Sequence, residues 1–71
     1  MINALGKNYL SVYNLIEDLQ SLIPSLGRLE LVDETDQSLT IKAEKNDIKL
    51  TVTNLNEGQK KSLTNWIKSI V

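Results

Sequence analysis

The chain predicts an α+β fold: a two-layer α-β-β-β-α domain in which a three-stranded antiparallel meander carries both helices on one face. Three observations lead there. Apolar residues from Ile2 to Ile23 recur at alternating steps of three and four, the period of a helix face. Three runs between Leu29 and Val52 alternate apolar and polar residues, the period of a half-buried strand. A last apolar stripe, at Leu63, Trp66, Ile67 and Ile70, follows a polar stretch rich in helix-capping residues.

The first helix is expected over Ile2–Ile23. Its stripe is Ile2, Leu5, Tyr9, Val12, Ile16, Leu19 and Ile23, and Leu15, Leu22 and Tyr13 widen it to suit a helix lying on a sheet rather than a narrow coiled-coil seam. Leu10 points away from the stripe. Pro24 disfavours helical dihedrals at the residue before it, so Ile23 is the expected last helical residue.

Leu29 and Leu31 then alternate with Arg28 and Glu30, Leu39, Ile41 and Ala43 with Thr40 and Lys42, and Ile48, Leu50 and Val52 with Lys49 and Thr51. The Asp33–Gln37 loop and the Lys45-Asn46-Asp47 turn are short enough to join neighbouring antiparallel strands. Val32 is out of phase, which calls for a bulge after Leu31 or a partly covered edge. The last helix, Glu57–Ile70, opens on an Asn54/Glu57 capping box, with Asn56/Gln59 as the competing register. Lys60, Lys61, Thr64 and Lys68 are expected to face away from the sheet.

Composition narrows the chemistry. At 71 residues the chain is expected to be one domain spanning 1–71, alone or within a larger polypeptide. It has no Cys and no His, which removes disulfides, thiolate catalysis and most zinc or iron–sulfur sites. No cofactor is expected, and a reducing cytoplasm is the expected location. Nothing resembles a signal peptide or a span of ~20 apolar residues. The polar face of the first helix carries Asn, Ser and acids rather than the Lys and Arg of a membrane-surface helix.

The three acids of the Asp33/Glu34/Asp36 loop lack the regular spacing and bidentate Glu of a calcium loop, and the pair Glu17/Asp18 reads as a helix surface. Gly6, Gly27 and Gly58 are too scattered to cradle phosphate, and no Ser has a base beside it in a recognisable pattern. An enzyme is therefore not expected.

Two binding functions remain. The first is a small non-catalytic protein–protein interaction or adaptor module, self-associating, with Ile2, Tyr9, Leu10 and Tyr13 as the interface and a protein partner or a homodimer as its mode. The exposed edge Leu29–Val32 offers a second route by strand addition. The alternative is a double-stranded nucleic-acid-binding domain through Lys60, Lys61 and Lys68. The α-β-β-β-α order with Lys60-Lys61 at the start of its second helix resembles double-stranded-RNA-binding domains in topology and in that dipeptide. The resemblance implies phosphate contacts from the second helix. The chain departs from that family where its Gly-Pro-x-His loop is replaced by Asp33-Glu34-Thr35-Asp36, and where the family's next helix lysine would fall near Thr64. With 8 basic against 9 acidic residues, the chain has no strong field for nucleic acid.

Overall fold

A computed structural model describes residues 1–70 and is α+β. Strands β1 (Ile2–Ala4) and β2 (Lys7–Tyr9) form a hairpin, followed by helix α1 (Val12–Leu26), strands β3 (Leu29–Glu34), β4 (Leu39–Ala43) and β5 (Ile48–Val52), and helix α2 (Glu57–Ser69). The three longer strands are an antiparallel meander in the order β3-β4-β5, with α1 and α2 on its apolar face. From α1 onward the order is the expected α-β-β-β-α, preceded by the hairpin.

The hairpin corrects the expected helix over Ile2–Ile23. Leu5 and Gly6 both have positive φ, 55° and 72°, the signature of a tight two-residue hairpin turn. Ile2 then pairs with Tyr9 and Ala4 with Lys7. Ile2, Ala4 and Tyr9 are buried on the inner face, Asn3 and Asn8 face out, and Lys7, at the turn end of that inner face, is exposed. Asn3 extends the hairpin onto the meander: its N–H donates to the Thr53 carbonyl at 3.1 Å and its carbonyl accepts from the Thr53 N–H at 2.9 Å. Helix α1 starts only after Ser11, an extended N-cap whose side chain accepts from the Asn14 N–H at 3.4 Å.

The end of α1 is also later than expected, because Pro24 lies inside the helix. Proline cannot donate to the preceding turn, but the carbonyls after it find partners in the β4–β5 turn. The Lys45 ammonium donates to the Pro24 carbonyl and the Asn46 amide to the Ser25 carbonyl, each at 3.0 Å. The Lys45 N–H donates to the Leu26 carbonyl at 3.0 Å. Tertiary contacts thus cap the last turn, and Leu26 is buried. Gly27 closes the helix at φ 76°, with its N–H bonded to the Ile23 carbonyl at 2.7 Å.

The meander follows the alternation expected of it except at Ile48, which is exposed at the open end of β5. Leu29, Leu39, Ile41, Ala43 and Val52 are buried on the inner face. The register of β3 on β4 shifts between Leu31 and Asp33, so Val32 is the bulge residue and stands half exposed. The α2 cap takes the Asn56/Gln59 register: Asn56 Oδ1 accepts from the Gln59 N–H at 2.8 Å and Gln59 Oε1 from the Asn56 N–H at 3.0 Å. Asn54 is left at φ 63°, outside the helix. Val12, Leu15 and Leu19 of α1 and Leu63 and Ile67 of α2 meet the sheet and the hairpin in a single core.

Candidate interaction surface

The surface in question sits at the corner where β2 turns into α1. Strand alternation decides its first member. Tyr9 points inward, so Leu10 points out, and Leu10 is 75% exposed. Helix geometry decides the next. Val12 is buried on the inner face, and Tyr13, one residue and ~100° further round, is 72% exposed. Met1, beyond the Ile2–Tyr9 pair, is also well exposed and lines an open groove with Leu10, Gln37, Asn54, Asn56 and Gln59.

The other two residues expected at an interface lie elsewhere. Ile2 and Tyr9 are buried in the chain's own core, because they are cross-strand partners on the inner face of the hairpin. Tyr9 also has an internal polar task. Its hydroxyl donates to Asp18 Oδ2 at 2.7 Å. Burial, then the hydrogen bond to Asp18 and the nearby negative charge, push the phenol from 10.0 up to about 12. Of the four candidates, Leu10 and Tyr13 are open to a partner.

The lysines expected to contact nucleic acid are divided in the same way. Lys60 does not face away. It is buried, its ammonium donating to the Thr35 carbonyl at 2.9 Å and to Glu34 Oε2 at 3.2 Å, with Glu57 Oε1 at 3.6 Å. Burial works against its charge, but these carboxylates outweigh it and hold the ammonium above its ordinary value. Lys60 shares a helix face with Leu63 and Ile67 at steps of three and four, a signal legible in the sequence. Its stem covers apolar surface while its tip reaches the acidic loop. Lys61 and Lys68 are exposed, but the hollow they line also holds Glu34 and Glu57.

A wider hollow, about 640 Å³, runs along β3 and β4 and is lined by Arg28, Glu30, Lys42, Glu44 and Asp47, with Lys68 of α2. Positive and negative side chains interleave there, and Lys42 reaches Asp47 at 3.3 Å. Pairs this exposed contribute little to stability. Among the described residues, no helix is long and apolar enough to cross a membrane, and no three acidic side chains converge as metal ligands. No family model matches the chain, and neither a curated protein nor a solved structure matches it.

Proposed function

We propose that this chain is a small, non-catalytic protein–protein interaction module of the cytoplasm that engages its partner through the corner formed by Leu10 and Tyr13. The observation that carries this reading is the exposure of those two side chains, 75% and 72%, on either side of the α1 N-cap. Single exposed apolar residues are ordinary, but Leu10 shares a groove with the exposed Met1, and Tyr13, three residues on, is of a type enriched among interface anchors. An adaptor or an inhibitor acting by occlusion both fit this mechanism, and a second copy of the chain is among the partners it admits. The nucleic-acid alternative loses Lys60, whose ammonium is occupied by Glu34, Glu57 and Thr35.

A photo-crosslinking side chain placed at Leu10 or Tyr13, in cells expressing the full chain, tests the reading. A discrete protein adduct at both positions is expected, and none with the same label at Lys49 on the outer sheet face. Labelling at Leu10 and Tyr13 no stronger than at Lys49 overturns it. Binding of duplex RNA that weakens steeply with added salt would instead favour the nucleic-acid function, since phosphate contacts must release counterions.

A further inference from the structure

We draw no further inference here: the strongest candidate, strand addition at the outer edge of β3 over Leu29–Glu34, is closed at one end by the burial of Leu29 and broken by the bulge at Val32, and nothing in the structure shows what covers the rest of that edge.

Discussion

The Tyr9 hydroxyl donates to Asp18 Oδ2 at 2.7 Å, joining the N-terminal hairpin to the second turn of α1. Both ends are specified by burial: Tyr9 lies on the inner face of β2, and Asp18 is half-buried beside the core residue Leu19. Tyr9→Phe keeps the ring and removes the donor. A hydrogen bond to a charged acceptor contributes about 1.5 kcal/mol, so the variant is expected to melt several degrees lower in thermal unfolding followed by circular dichroism.

The same pair sets an alkaline limit on stability. The phenol is raised from 10.0 to about 12 in the folded chain, so the folded state holds a proton that the unfolded state releases. Its stabilisation is complete below pH 10 and is lost as pH rises from 10 through about 12. Lys60 acts in the same direction, since its ammonium is also held above its ordinary value. Melting temperature is expected to fall over this range in the parent chain, and to fall less steeply in Tyr9→Phe. An equal slope in the two proteins would count against the Tyr9–Asp18 bond.

Gly6 separates the hairpin from a helix by the sign of one substitution. In the interior of a helix, Gly→Ala stabilises by up to about 1 kcal/mol. At Gly6, φ is 72° and a Cβ would meet open space, so only the backbone preference counts. Gly6→Ala is expected to destabilise by about 1 kcal/mol, measured by urea denaturation. A gain in stability would restore the helix.

Gly27 combines two constraints. Its φ is 76°, and a Cβ there would stand 2.7 Å from Lys45 Cγ. Gly27→Ala is expected to cost about 1–2 kcal/mol. Adding Lys45→Ala to it relieves the close approach but not the backbone strain. In urea denaturation the double variant is therefore expected to recover the contact part of the loss and not the backbone part, against a Lys45→Ala control that itself removes the ammonium bond to the Pro24 carbonyl.

Lys60 and Lys61 are neighbours with opposite roles. Lys60→Met leaves Glu34 and the Thr35 carbonyl without their cation, and is expected to lower the melting temperature clearly. Lys61→Met, on the exposed face, is expected to leave it within error. Equal effects would remove the distinction between an internal clamp and a free surface charge.

Much of this fold was legible in the amino-acid order. The strands of the meander alternate residue by residue, and a face that alternates locally needs no distant information to be assigned. Val32 announced its bulge by breaking phase, and Asn56/Gln59 stood in the sequence as one of two capping registers. The position of Leu10 away from the apolar stripe was also visible, although the reason for it was not.

Three features were decided by tertiary structure. Ile2 and Tyr9 are seven residues apart, which places them on one face of a helix and equally opposite each other in a hairpin turning at Leu5-Gly6. Periodicity cannot separate those geometries. The bonds between Asn3 and Thr53 favour the hairpin, and they depend on a strand end fifty residues away. Pro24 is a stop signal in isolation, yet Lys45 and Asn46 supply the donors that carry α1 past it. Lys60 carries the charge of a surface residue at a position of the inner helix face, and only the acidic loop packed against it makes that position tenable. Local pattern determined which residues alternate and which form stripes. Partners distant in sequence determined where the elements begin and end, and which side chains remain free to meet another chain.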